Sequence, residues 1–86
     1  MATVEILYFA RLREALGVER EQLMLPAGVG TAGQLRAYLA SRGGTWQTEF
    51  DPKRPVRIAV NQDLAHAGDP LADGDEVALF PPVTGG

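Results

Sequence analysis

The stretch TAGQLRAYLASRGG, residues 31–44, predicts the main helix of the chain. Thr31 and Gln34 stand in the T-x-x-Q relation of a capping box, in which each side chain satisfies a backbone N–H group at a helix start. Three apolar side chains follow at helical spacing and form one stripe: Leu35, Tyr38 and Leu39. The glycine pair that closes the stretch is typical of a helix C-terminus. This helix separates two groups of strand-like segments.

The strand-like segments lie on both sides of the main helix. Before it, residues 3–9 (TVEILYF) are rich in β-branched and aromatic residues, and residues 20–26 (REQLMLP) alternate weakly and end at a proline. Between them, ARLREAL predicts one or two helical turns that stop at Gly17. After the main helix, strands are predicted at residues 56–60 and 76–80, and NQDL leads from a turn into a short strand.

This order of elements predicts an α+β domain with a mixed sheet packed on one main helix. By analogy with known folds it is the β-grasp arrangement of ubiquitin-like proteins. Residues 1–80 are assigned to the domain and residues 81–86 to an extended tail. Residues 43–55 are predicted to form a loop, with Trp46 and Phe50 tucked under it. A chain of 86 residues has room for a single core.

Composition excludes several classes of function. The absence of cysteine removes disulfides, thiolate zinc sites and cysteine nucleophiles, and it fits a reducing compartment, so we expect a cytoplasmic protein. A net charge of −3, with the eight cationic residues scattered, argues against binding to nucleic acid. The chain has no basic leader with an apolar core and no apolar run near the roughly 20 residues that span a bilayer. We therefore expect neither a signal peptide nor a membrane segment.

Three other patterns have a structural interpretation. GVGTAG at residues 28–33 fits G-x-G-x-x-G, but the preceding strand is half polar, and a flexible loop before a capped helix explains the glycines. His66 is the only histidine and has no recognisable catalytic partner. An acidic cluster fails the spacing of a calcium loop and fits turn chemistry instead: Asp69, Asp73, Asp75 and Glu76.

The alternation of side chains along two strands predicts an exposed aromatic face. If Val77 and Leu79 point into the core, Phe80 points to the opposite face of the sheet. In the first strand Glu5 and Phe9 share a face, and a charged residue marks the face nearer solvent. Both strands thus leave a phenylalanine on the open face, which predicts a docking patch.

The final residues have the properties of a reactive tail. Pro81 and Pro82 remove two backbone donors and fix φ, so the sheet ladder stops and the chain leaves extended. From there the tail can reach about 20 Å at 3.3–3.6 Å per residue. Gly85 and Gly86 lack Cβ atoms, so they fit a channel too narrow for other residues and leave the terminal carboxylate open to attack.

Two segments resemble a known family. DGDEVALFPPVTGG at residues 73–86 is similar to the ending of the MoaD family, the small subunits of molybdopterin synthase, and ILYFARLREALG is similar to the opening of that family. The resemblance implies a sulfur carrier of molybdenum cofactor biosynthesis that is not an enzyme by itself and works within a heterotetrameric synthase. No stably bound cofactor or metal is implied.

The resemblance also implies the chemistry and the partners. The Gly86 carboxylate would be adenylated with ATP by a MoeB-like enzyme, and a persulfide sulfur from a sulfur-donor protein would displace AMP and leave a thiocarboxylate. A MoaE-like large subunit, holding cyclic pyranopterin monophosphate, would receive the sulfur. Gly85 and Gly86 would form the reactive end. The partner-binding residues would be Phe9, Arg13, Leu64, Phe80, Pro81, Pro82, Val83 and Thr84.

Three alternatives stay open beside this interpretation. The first is a ubiquitin-like carrier that serves thiazole synthesis or tRNA thiolation with the same tail chemistry. The second is a protein modifier joined to lysines through isopeptide bonds. The third is a β-grasp interaction module without a reactive end. The Phe-Pro-Pro-Val ending favours the molybdopterin synthase subunit over all three.

Overall fold

The computed structural model describes residues 2–82, which form a five-stranded mixed sheet with helices packed on one face. In chain order, the elements are β1 (Thr3–Tyr8), α1 (Ala10–Leu16), β2 (Arg20–Met24), α2 (Ala32–Ala40), α3 (Gly44–Glu49), β3 (Arg57–Val60), β4 (Asp63–Leu64) and β5 (Glu76–Phe80). The predicted α+β fold is confirmed, and the strands at both ends of the chain lie within a residue or two of their expected bounds.

The strands are arranged in the order β2-β1-β5-β3-β4. The central pair, β1 and β5, is parallel, with Tyr8 opposite Leu79, and the other pairs are antiparallel. Because β1 and β5 run in the same direction, both end at the same edge of the sheet. The backbone N–H of Phe9 donates to the Leu79 carbonyl at 3.1 Å. The end of β1 and the start of the tail are therefore neighbours.

The core lies between the sheet and the helices. Along β1 the buried residues alternate with partly exposed ones, and β5 shows the same pattern. Val77 and Leu79 are fully buried, as the alternation predicts. Opposite them, α2 contributes Leu35 and Leu39, both fully buried, while Tyr38 is only partly buried at the edge of the stripe. The helix layer thus covers one face of the sheet and leaves the other face open.

The predicted capping box at the start of α2 is confirmed. Gln34 donates its backbone N–H to the Thr31 hydroxyl at 3.2 Å, and the Gln34 side-chain oxygen accepts from the Thr31 N–H at 3.1 Å. The helix ends at Ala40 with Ser41 as its C-cap, before the glycine pair that was expected to end it. The Ser41 N–H donates to the Ala37 carbonyl, so the last turn closes without glycine.

The loop predicted at residues 43–55 is wrong in part, because it contains α3. This six-residue helix has no side-chain cap, and its N-cap Gly43 and its first residue Gly44 have positive φ angles of 78° and 56°. Tertiary packing stabilises it, since the Trp46 ring lies 5.5 Å from the Tyr8 ring and 6.1 Å from the Phe50 ring between centroids. Phe50 is buried and Trp46 partly buried, as predicted. The sheet therefore packs on more than one helix.

Gly33, the last glycine of the GVGTAG segment and the second residue of α2, has a packing role. Its backbone N–H donates to the Ala67 carbonyl at 2.8 Å, so two segments of backbone approach closely. A Cβ atom at Gly33 would lie 2.9 Å from the Ala67 Cβ and 3.0 Å from the Ala67 carbonyl oxygen. Only glycine fits this approach, so close packing explains the last glycine of the motif, where loop flexibility was expected.

We expect Gly33→Ala to lower the free energy of unfolding by about 1–3 kcal/mol, because the new methyl group meets backbone atoms that have to move. Urea unfolding followed by circular dichroism measures the change. Gly30→Ala is the matched control, since a Cβ there meets nothing closer than the Gln34 side-chain oxygen at 3.9 Å. Equal stability of the two variants would contradict the packing role of Gly33.

The acidic residues near the end of the domain organise turns. Asp73 accepts the Thr3 N–H at 2.8 Å, and Asp69 accepts the His66 N–H at 2.9 Å. Asp75 accepts the Ala72 N–H at 2.7 Å, and this hydrogen bond lowers the pKa of Asp75. Turn chemistry is therefore confirmed for Asp69 and Asp75, whereas Asp73 bonds to the start of β1 and Glu76 is the first residue of β5. Within residues 2–82, no group of acidic residues or histidine is arranged to hold a metal ion, and no helix is long and apolar enough to cross a membrane.

Candidate functional site

The open face of the sheet, opposite the helices, carries a row of small and apolar side chains. Strand pairing places Leu7 beside Ala78, Ala78 beside Ala59 and Ala59 beside Leu64. With strands about 4.8 Å apart, this row extends roughly 14 Å across four strands. Leu64 closes the row at the edge strand and is 67% exposed.

Two phenylalanines continue the open face towards the tail. Phe9 follows β1 in an extended conformation, with φ −120° and ψ 157°, so the alternation continues and its side chain lies on the side of Leu7. The pairing of Tyr8 with Leu79 puts Phe9 level with Phe80. Phe9 is 45% exposed and Phe80 is partly buried. We call Phe9, Leu64 and Phe80, with the row between them, the open-face patch.

The structure brings three of the residues implied by the family resemblance onto this one patch: Phe9, Leu64 and Phe80. Arg13 lies one helical turn after Phe9, in the last turn of α1, and its backbone N–H donates to the Phe9 carbonyl at 3.4 Å. Its Nη1 atom is 3.9 Å from the Glu19 carboxylate. Pro81 and Pro82 follow β5 directly and are partly buried. Four predicted site residues lie outside the described residues: Val83, Thr84, Gly85 and Gly86.

A cleft lies beside the first residues of the tail, and no sequence pattern pointed to it. It has a volume of about 290 Å³ and draws its walls from three separate parts of the chain: Arg11, Leu12, Glu49, Arg54, Pro55, Val56, Pro81 and Pro82. We call it the tail-root cleft. Its residues are far apart in sequence, so only the fold brings them together.

The Glu49 carboxylate lies at the side of the tail-root cleft between two guanidinium groups. Its Oε1 atom is 3.2 Å from Arg11 Nε and 3.6 Å from Arg54 Nη1. Only 7% of the Glu49 side chain is exposed, whereas the Arg11 side chain is 63% exposed. The hydrogen bond to Glu49 raises the pKa of Arg11, so the guanidinium stays charged. The cluster as a whole carries one excess positive charge.

A second polar cluster ties β2 to the helix layer. Arg42 donates two hydrogen bonds to the Glu21 carboxylate, at 2.7 and 3.0 Å, and its guanidinium lies 4.4 Å from the centre of the Trp46 ring. The buried Tyr8 hydroxyl donates to Glu21 at 3.2 Å, and burial raises the pKa of Tyr8. These contacts hold the edge strand against α2 and α3 on the side away from the open-face patch.

This cluster predicts a pH dependence of stability. The hydrogen bonds from Arg42 hold the pKa of Glu21 below its usual value. A depressed pKa in the folded state means that the ionised group stabilises the fold above its unfolded pKa, and that this contribution is lost as the pH falls through the folded pKa. We expect Glu21→Gln to cost about 0.5–1 kcal/mol at pH 7 and much less near pH 3, as measured by urea unfolding at both values. The same cost at both pH values would contradict this.

Residues 6–86 match the model of the ThiS family. The chain belongs to the ThiS family. Among its relatives, the molybdopterin synthase sulfur carrier subunit of Escherichia coli (strain K12) is 39% identical over 83 residues, which is 96% of this chain and 99% of that protein. The resemblance to the MoaD family is therefore confirmed.

Solved structures of ThiS family relatives confirm the ubiquitin-like fold. The small archaeal modifier protein 1 of Haloferax volcanii superimposes with a TM-score of 0.78 at 27% identity, over 96% of this chain and all of that one. Subunit 1 in the complex of subunits 1 and 2 of the molybdopterin-converting factor from Helicobacter pylori 26695 has a TM-score of 0.66 at 27% identity, covering 98% and 99% of the two chains. The fold and its length are thus shared with a protein named as a small archaeal modifier and with a subunit of a molybdopterin-converting factor.

Proposed function

We propose that this ThiS family protein is the sulfur carrier subunit of a molybdopterin synthase and that Gly86 is its reactive end. One observation carries the proposal: the similarity to a named sulfur carrier subunit extends over nearly the whole of both chains, and the family match runs to Gly86. The family match thus includes the Phe-Pro-Pro-Val-Thr-Gly-Gly ending and is not confined to the folded domain.

The proposed chemistry takes place on the last carbonyl group. The Gly86 carboxylate attacks the α-phosphate of ATP in an adenylating enzyme and releases pyrophosphate, because a free carboxylate is a poor acyl donor and AMP is a good leaving group. A persulfide sulfur on a donor protein then displaces AMP, and a thiol cleaves the resulting acyl disulfide to give a thiocarboxylate. That thiocarboxylate donates its sulfur to cyclic pyranopterin monophosphate in the large subunit. The carrier contributes the reactive end and the docking surface, while its partners supply the acid–base groups.

The open-face patch is the proposed docking surface for these partners. It is apolar, it is exposed at Phe9 and Leu64, and it adjoins the first residues of the tail. A partner that buries this patch also receives the tail, because Phe80 is followed directly by Pro81. The adenylating enzyme and the large subunit would both use it, in the cytoplasm, and therefore exclude each other.

Intact-protein mass spectrometry tests the proposed function. The purified chain is incubated with ATP, an adenylating enzyme and a persulfide donor, and its mass is expected to rise by the difference between sulfur and oxygen. Tandem spectra should place the change at Gly86. Omission of ATP is the control, since adenylation precedes the sulfur step. No mass change in the complete mixture would contradict the proposal.

A second candidate function is conjugation to other proteins. The observation that favours it is the structural similarity to a protein named as a small archaeal modifier. The same incubation separates the two functions when lysate proteins are added. A modifier gives an isopeptide bond between Gly86 and a lysine of another protein, whereas a dedicated sulfur carrier gives the thiocarboxylate and no adduct.

A further inference from the structure

The tail-root cleft lies on the opposite side of the tail from Phe80. Arg57 pairs with Phe80 on β3 and β5, so these two residues share the open face. The preceding Val56 and the following Pro81 therefore turn towards the helix side, where both line the cleft. The first residues of the tail thus have the open-face patch on one side and the tail-root cleft on the other.

One wall of the cleft is held rigidly by a partly buried arginine. Arg36 donates to the backbone carbonyls of Phe50, Asp51 and Arg54, at 3.2, 2.6 and 2.6 Å. Three charge-assisted hydrogen bonds to one short segment fix the backbone that carries Arg54. The cleft is therefore formed before any partner binds, which reduces the entropy that binding has to offset.

The cleft combines an apolar floor with a positive rim. Leu12, Val56 and the three prolines supply the floor, and the Arg11–Glu49–Arg54 cluster carries one excess positive charge at the rim. Glu49 is already held by both arginines, while the Arg11 side chain remains 63% exposed. An incoming group that suits this arrangement is an apolar side chain with a carboxylate close to it.

We propose that the tail-root cleft is a second docking site, which takes an apolar side chain and a neighbouring carboxylate of the large synthase subunit. This inference rests on the proposed function, because the large subunit has to enclose the tail to receive its sulfur. A protein that encloses an extended chain covers both sides of its first residues, so it covers the cleft as well as the open-face patch. Binding on both sides fixes the direction in which the tail leaves the domain.

Two cleft variants and one control test this site in calorimetric titrations with a purified large subunit. Arg11→Ala removes the exposed charge and leaves Glu49 paired with Arg54, and we expect Kd to rise about 3- to 10-fold. Val56→Phe fills the cleft and should raise Kd by about 10-fold or more. Lys53→Ala is the matched control, because Lys53 is an exposed cation next to the cleft wall that does not line it. Its Kd should stay within about 2-fold of the wild type.

Two further measurements separate docking from misfolding. Thermal unfolding checks that each variant is folded, and NMR titration of the wild type should shift the Arg11 side-chain N–H and the Val56 amide signals when the large subunit is added. The cleft site would be overturned if these NMR signals did not shift. It would also be overturned if both cleft variants had the wild-type Kd while Phe80→Ala bound weakly. Either result would leave the proposed function in place. A wild-type chain that does not bind the large subunit would overturn both.

Discussion

Gly86→Ala is expected to fold like the wild type and to lose about 100-fold or more in the rate of thiocarboxylate formation or sulfur transfer. The added methyl group would stand next to the reacting carbonyl, where a shift of about 1 Å is enough to cost that factor in rate. Folding should not change, because the last strand ends at Phe80, six residues earlier. Single-turnover assays with mass-spectrometric detection measure the loading and transfer steps separately.

Gly30→Ala is the control for this prediction, since it adds the same methyl group to the folded domain. There the new Cβ atom makes only an ordinary contact with the Gln34 side-chain oxygen, at 3.9 Å. Its loading and transfer rates should equal those of the wild type. If Gly86→Ala turned over as fast as Gly30→Ala, a narrow channel around the tail could not be the reason for the terminal glycine pair.

Features of the fold that depend on neighbouring residues could be predicted from the sequence. The capping box needs only Thr31 and Gln34, which lie one helical turn apart, and both of its hydrogen bonds are present. The faces of β1 and β5 follow from alternation, which has a period of two and needs no knowledge of the partner strand. The exposure of Phe9 was predictable for this reason.

Features that depend on distant residues were missed. The helix α3 has no side-chain cap, and both its N-cap and its first residue are glycines with positive φ, so its local signals are those of a loop. It forms because Trp46 packs against Tyr8. The tail-root cleft joins α1, the end of α3 with the segment after it, and the residues after β5. No pattern within one segment could reveal that Glu49 lies buried between Arg11 and Arg54.

The second large effect is expected at Phe80, where Phe80→Ala should weaken binding to the large subunit by about 2–4 kcal/mol, or roughly 30- to 1,000-fold in Kd. A binding hot spot is usually an aromatic side chain that the partner fully covers, and Phe80 stands next to the tail that the partner encloses. The free energy of unfolding should change little, because the core residues of β5 are Val77 and Leu79, and Phe80 lies on the open face. Calorimetric titration and urea unfolding measure the two quantities.

The control Met24→Ala shows whether the effect belongs to the open-face patch or to apolar surface in general. Met24 is 57% exposed and pairs with Thr3, so it lies on the open face at the end of the sheet far from the tail. The Met24→Ala variant should bind the large subunit with the Kd of the wild type. A loss of stability in Phe80→Ala would place Phe80 in the core instead.

Because the adenylating enzyme would use the same patch, Phe80→Ala should also slow adenylation, and excess large subunit should inhibit adenylation of the wild type. Adenylation at full rate under a saturating large subunit would mean that the two partners bind different surfaces of the carrier.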